Sequence, residues 1–238
     1  FIRDQFYTLR KKNEFSYVKV YKLDITNKYI CEFNQKEHRV MTSSVEDYLK
    51  ALFQLASEDP ESKVGTNQLA EYLDVKPASA SVMLKKLRAK GLVDYKKYGR
   101  VGLTDKGRDI AVSLVRRHRL WETFLYQKLN FSWDEVHQVA HELEHIESPK
   151  LIAELDKLLG YPSHDPHGHA IPDETGRFSK DERHLLAELQ EGQKCRLVSV
   201  RDSSAEFLKY VTQLGLALST EIEVMDIRDF DGSLVLAY

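Results

Sequence analysis

The 238-residue chain has two cysteines, Cys31 and Cys195, and they lie far apart. That excludes a disulfide scaffold and a thiolate zinc knuckle, and it fits a reducing cytoplasm. No apolar run reaches the roughly 18 residues that a membrane span needs. An excess of one charge is also missing, because 35 basic residues stand against 37 acidic ones. A wholly basic nucleic-acid coat is thereby excluded, while a locally basic face stays open. What remains is 42 % hydrophobic and 30 % charged residues, a globular composition that rules out disorder for the bulk of the chain. The length accommodates one well-filled core or two domains.

Residues 1–40 carry no clear helical stripe and are rich in Phe, Tyr, Lys and Asn. They lack the apolar region and small-residue cleavage site of a secretory signal. Met41 is followed by Thr42-Ser43-Ser44-Val45-Glu46-Asp47, which reads as a helix start with Ser43 or Ser44 as the cap. Two expectations follow for residues 1–40. They are an extension upstream of a natural start at Met41, or a poorly ordered N-terminal arm.

From Val45 the apolar positions Val45, Leu49, Leu52, Phe53 and Leu55 predict a helix ending near Asp59-Pro60. A short second helix is expected from Thr66, as N-cap, through Leu73. A third runs from Ala78 to Lys90, after Pro77, with Val82, Leu84 and Leu87 inward and Gly91 as the stop. Leu92 to Leu103 then reads as two short strands around a basic tip. Two short helices joined by a turn and followed by a hairpin are the parts of a winged helix-turn-helix. Lys76, Lys85, Lys86, Arg88, Lys90, Lys96, Lys97 and Arg100 face one acid, Asp94, in this stretch. Such a local field suits phosphate neutralisation. Lys76, Pro77, Ser79, Ser81, Lys85, Lys86, Lys96, Lys97 and Arg100 are the candidate DNA-contacting residues. A merely solvated basic face is the alternative.

Seven of the nine histidines fall between His118 and His169. A long helix is expected from Asp105 to about Leu129, on which His118 and Glu122 share a face. Asn130-Phe131-Ser132 breaks it, and Ser132 is the expected cap of a helix carrying His137, His141, Glu144 and His145 on one side. Clustered imidazoles and carboxylates are a ligand set for a divalent transition metal. Carboxylates favour Mn(II) or Fe(II), and imidazoles keep Fe(II), Co(II) and Zn(II) open. His141-Glu142-Leu143-Glu144-His145 also satisfies the zinc-protease pattern, with Glu142 as base and Glu154 as a conceivable third ligand. No metzincin continuation follows it. His164, His167 and His169, in a stretch rich in Pro, Gly and His, form a further candidate group or part of a linker.

The order of these motifs, through Asp165-Pro166-His167-Gly168-His169-Ala170-Ile171-Pro172, resembles the diphtheria toxin repressor and manganese transport regulator family. The resemblance spans about residues 41–172. It implies a mainly α, cytoplasmic, homodimeric, metal-dependent repressor that binds a palindromic operator in double-stranded DNA. It implies a winged helix at 41–104, a metal-binding and dimerisation domain with linker at 105–176, and an SH3-like (FeoA-like) β-barrel at 177–238. The metal ligands it implies are Asp47, His118, Glu122, His137, His141, Glu144 and His145, with Glu206 as a further candidate from the C-terminal domain. Mn(II) is the expected ion and Fe(II) the second, with Zn(II) or Co(II) binding in vitro. The chain departs from the family at His141, where iron-responsive members carry Cys and manganese-responsive members Glu. Asp47 follows the manganese type. Lys50 stands where that type has a second-site Glu. His118, Glu122 and His137 match an ancillary site of the iron type. A metal-storage protein and the protease remain the readings from other classes.

Overall fold

The computed structural model describes residues 5–11, 14–23, 28–31, 42–58, 64–96, 100–179, 183–202, 204–228, 230 and 232–238. The chain forms two compact units, Phe1–Met41 and Thr42–Tyr238. In the first, β1 (Gln5–Lys11), β2 (Glu14–Leu23) and β3 (Lys28–Cys31) pair antiparallel in that order. The Phe, Tyr and Val content that denied this stretch a helical stripe suits a pleated ribbon.

The second unit opens with α1 (Ser43–Glu58), α2 (Thr66–Tyr72) and α3 (Pro77–Ala89), then β4 (Val93–Lys96) and β5 (Arg100–Leu103). This is the expected winged helix-turn-helix. Its caps differ in detail. The Thr42 carbonyl accepts from the Val45 and Glu46 amides, so Ser43 and Ser44 lie inside the first turn. Gly65, not Thr66, is the cap of α2. Helix α3 ends as expected at Gly91, whose φ is +68°. The Leu92 amide reaches the Leu87 carbonyl and the Gly91 amide the Arg88 carbonyl, a paired closure that a left-handed residue makes possible. One inward expectation is overturned: Ala80, Leu84 and Leu87 form the buried stripe, while Val82 is 68 % exposed. Helix period places Val82 opposite that stripe.

Helix α4 spans Asp105–Leu129, as expected, capped by the Thr104 hydroxyl and closed by left-handed Asn130. Its first turn lies so close to the wing that a Cβ on Gly107 would sit 2.0 Å from the Leu92 carbonyl oxygen. Helix α5 is shorter than expected, Val136–Leu143. Ser132 does not cap it directly. Its amide and hydroxyl instead bind the Glu135 carboxylate ahead of the helix. Glu144 and His145 therefore follow α5 rather than belong to it. An unforeseen α6 (Pro149–Leu158) starts at Ser148, whose hydroxyl accepts from the Leu151 amide. Leu120, Trp121, Leu125, Val136, Ala140, Leu155 and Ile171 make the core among α4, α5, α6 and the following segment.

The C-terminal part has β6 (Lys194–Arg196), α7 (Ala205–Gln213), β7 (Glu221–Ile227) and β8 (Leu234–Ala237). The expected barrel is not closed among the described residues. The strands form one antiparallel sheet, β6-β7-β8. Only β7 is paired on both sides, and a register shift between Val224 and Asp226 bends its pairing with β8.

Candidate metal centre and nucleic-acid face

Two groups of ligand-type side chains meet around Glu144. In the first, Asp47 comes from α1, His141 from α5, and Glu144 and His145 from the turn after it; each offers an atom within 4.8 Å of the others. In the second, His118 and Glu122 come from α4 and His137 from α5. His118 Nε2 lies 3.0 Å from Glu122 Oε1 and 3.1 Å from His137 Nδ1. The structure thus brings together all the sequence-predicted ligands except Glu206. That residue is exposed on α7 and belongs to neither group.

Glu144 is fully buried and splits its carboxylate between the groups. Oε1 faces His141 Nδ1 at 3.1 Å, and Oε2 takes Lys50 Nζ at 2.6 Å and also contacts His118 Nδ1. Burial opposes ionisation of Glu144, but hydrogen bonds from His118 and His141 and the Lys50 charge outweigh it, so its carboxyl stays well below the usual range. Burial likewise opposes ionisation of Glu122, and His118 and His137 overcome it. Lys50 is pulled down by burial, with Glu144 working against the shift. Burial raises Asp47, and His145 and His141 only partly offset it.

The turn after α5 also holds a support that sequence reasoning missed. Glu46, buried on α1, takes His145 Nδ1 at 2.7 Å on Oε2 and Arg117 Nη2 at 2.8 Å on Oε1. Arg117 Nε donates to the Glu144 carbonyl. The only available signals were an acid beside Asp47 and a base beside His118. The contact with Glu46 assigns the ring proton of neutral His145 to Nδ1, so Nε2 carries a lone pair. That Nε2 sits 3.1 Å from Asp47 Oδ1, and Asp47 Oδ1 is buried without a hydrogen bond from the described residues. Two acceptors held face to face fit a cation between them. A carboxylate behind a ligating imidazole is the usual way to fix its tautomer and direction.

The stretch after α6 holds a third group, Asp165, His167 and His169; His164 instead contacts the Ser163 hydroxyl. Asp165 Oδ1 accepts the His167 and His169 amides, and Oδ2 lies 3.6 Å from Arg119 Nε. His167 is buried, with Nε2 donating to the Trp133 carbonyl and its own carbonyl accepting from Val200. Oδ2 also lies 3.2 Å from His169 Nδ1, so Asp165 is satisfied by backbone amides, an imidazole and a resident guanidinium, as a loop staple is.

On the DNA side, Lys76, Pro77, Ser79, Lys85 and Lys86 are exposed on or beside α3, and Ser81 is half-buried. Arg100 is half-buried in a cleft with Leu52, Phe53 and Val64, and its Nε has no hydrogen-bond partner among the described residues. The side chain of Lys96 and the whole of Lys97 lie outside the described residues. Glu142 of the protease pattern is exposed, and neither it nor Glu154 enters a ligand group.

Comparison with known proteins now separates the readings. Residues 40–101 match the iron dependent repressor N-terminal DNA binding domain, 104–173 its metal binding and dimerisation domain, and 184–238 the FeoA domain. A solved manganese-dependent transcriptional repressor in complex with manganese is 37 % identical, with a TM-score of 0.72 over 81 % of this chain and 94 % of that one. The chain belongs to the iron dependent repressor family. The iron-dependent repressor IdeR of Mycobacterium tuberculosis is 30 % identical over 132 residues, which are 56 % of each chain. A probable metal transport system membrane protein of Chlamydia trachomatis is 44 % identical over 86 residues, 19 % of its length. The chain therefore spans about half the length of the mycobacterial relative and a fifth of the chlamydial one. Within the family's own division, Asp47 falls in the DNA-binding domain and His141, Glu144 and His145 in the dimerisation domain. The first group straddles that boundary, and the second lies wholly inside the dimerisation domain. The protease reading has no place in a family of DNA-binding repressors.

Proposed function

We propose that the chain is a metal-activated transcriptional repressor, working as a homodimer on a palindromic operator in the cytoplasm. Mn(II) is the first ion we assign and Fe(II) the second. The domains are those drawn from sequence, 41–104, 105–176 and 177–238. The observation that carries this reading is the origin of the first group: Asp47 rides on α1 of the reading head, and its three companions ride on the dimerisation body.

Asp47, His141, Glu144 and His145 would hold the ion, and His118, Glu122 and His137 a second one. Bound there, a divalent cation supplies the positive charge that two carboxylates and the lone pairs of two imidazoles share. Two carboxylates and two imidazoles suit Mn(II) or Fe(II), with the later metals open on affinity alone. The manganese-bound relative and the iron-dependent one support the same pair of ions.

The rest follows from this chain's own residues. Glu46 already ties α1 to Arg117 and His145. Asp47 facing His145 is the open member of the joint. Closing it fixes α1 against α5, and so fixes α3 relative to its copy in the dimer. Two recognition helices must be about 34 Å apart to enter successive major grooves on one face. An ion shifts that equilibrium only through its preference for the closed joint. The test is a gel shift on palindromic promoter DNA with Mn(II), Fe(II), Zn(II) or chelator. Retardation with Mn(II) or Fe(II) that chelator abolishes is expected. Equal binding after exhaustive chelation overturns the proposal.

A further inference from the structure

Helix α3 has an outermost line that none of the metal chemistry explains. Ala80, Leu84 and Leu87 are buried, and Ala78 and Val82, one turn apart, face directly away from them. Val82 is 68 % exposed, a bare isopropyl group on the outward face of α3. Past it the ridge becomes basic, with Lys85 and Lys86 exposed, and Lys76 is exposed before the first turn. A methyl-bearing centre is thus flanked at both ends by cations.

The order of chemistry along this ridge matches the order of groups in a major groove. The N-terminal part of a recognition helix meets base edges, and basic residues around it meet phosphates. Between Pro77 and Leu84 there is no Arg, Lys, Asn or Gln. The forked donors that read guanine or adenine are therefore missing from this half of α3. What it offers instead is methyl groups and small hydroxyls. In the major groove the apolar counterpart of an exposed methyl is the 5-methyl of thymine. Lysines on either side select a polyanion over an apolar protein partner for the same ridge.

We propose that Val82 packs on the 5-methyl group of a thymine, so that this base is specified in each operator half-site opposite the middle of α3. Ala78 lines the adjoining step. The inference rests on the DNA-binding reading above and adds to it which base feature is read and by which side chain.

The experiment selects half-sites from a random duplex pool with the full chain and Mn(II). The recovered duplex is then remade with deoxyuridine at each thymine in turn, which deletes the methyl and leaves the Watson–Crick edge intact. A thymine shared by both halves is expected, at which uracil weakens binding about fourfold per half-site, the worth of one buried methyl. In Val82→Ala the thymine and uracil duplexes should bind alike. Because Val82 is on the surface, the unfolding temperature of that variant should match the parent. If uracil is tolerated at every position, or if Val82→Ala keeps the full preference, the inference is overturned and the repressor reading stands. If no sequence is enriched with Mn(II) or Fe(II), the repressor reading itself fails and takes the inference with it.

Discussion

Both nitrogen–oxygen groups use α5 and lean on the same buried carboxylate, yet they differ in what stands across from α5. The second group faces α4, on which His118 and Glu122 are one turn apart. That helix is packed against α5 through Leu120, Trp121, Val136 and Ala140, so the group is held by a core that exists whatever occupies it. The first group faces α1, which belongs to another domain of the family, and there Asp47 Oδ1 is left without a hydrogen bond from the described residues. A site inside one body stabilises that body. A site drawn from two bodies governs how they meet. On the proposed function, the first group would carry the signal and the second would support the dimerisation body.

The sharpest way to break this comparison is to remove one ligand from each. Asp47→Ala should abolish the metal-induced gain in DNA affinity, which for a coupling of ordinary size is on the order of 5- to 150-fold. The fold should survive, because burial already disfavours the ionised form of Asp47. His137→Ala should keep most of the gain, since its ring is half exposed and its partners are all in the dimerisation domain. Fluorescence anisotropy on operator DNA across a Mn(II) titration reads both variants. Equal losses in the two would erase the distinction.

A subtler cut removes the support and leaves every ligand. Glu46→Gln keeps the shape at the back of His145 and loses the carboxylate that fixes its Nδ1 proton. Changes of this kind behind a ligand cost about 10- to 100-fold in metal affinity. Isothermal titration with Mn(II) should show that loss in the first group, with uptake by His118, Glu122 and His137 unchanged. An unaltered isotherm would mean that Arg117 alone positions the turn.

How much of this was legible in advance follows from periodicity. Helices α1 and α4 were readable because long amphipathic stripes and caps such as Thr104 carry their own signal. So were His118, Glu122, His137 and His141, which sit at helical spacing. Glu144 and His145 converge for another reason. The helix has already ended, and Arg117 holds the turn by bonding the Glu144 carbonyl. Glu46 was invisible as a partner because the 99-residue separation from His145 leaves no local trace. Val82 was misplaced because alternating small and apolar residues over 78–84 do not say which apolar side chain goes in. The SH3-like barrel expected at the C-terminus came with the family resemblance, and among the described residues its strands form one open antiparallel sheet.

A fourth change probes a region remote from both groups and so calibrates them. Lys86 is exposed on α3 and touches neither ligand set. Lys86→Ala should weaken DNA binding a few-fold at every metal concentration and lower the slope of log affinity against log salt by about 1. Its metal dependence should be that of the parent. If the variant also shifts the Mn(II) midpoint, the face and the metal joint are linked by more than the position of α1.

The smallest effect concerns the protein in chelator. The folded state holds Glu144 and Glu122 below the ordinary carboxylate value of 4.5. Depressed acids contribute stability that is present above that value and fades as the pH falls through the folded pKa. His141 is raised above 6.5 by its hydrogen bond to Glu144; for His118 burial works against protonation and Glu122 overcomes it, so it too is raised. Raised imidazoles contribute stability that is complete below 6.5 and is lost as the pH rises through their folded values. Asp47, raised by burial, loses its contribution as the pH rises from 3.8 through its folded value, ahead of the imidazoles. The chelated protein should therefore unfold at its highest temperature between pH 4.5 and 6.5 and at lower temperatures toward pH 8. Saturating Mn(II) should reverse the alkaline trend, because binding requires the same imidazoles without their protons. Thermal unfolding from pH 4 to 8 in chelator and in Mn(II) should give two curves that merge toward pH 4 and separate toward pH 8. Parallel curves would show that the imidazoles titrate the same way in both, and would separate the two groups from the metal altogether.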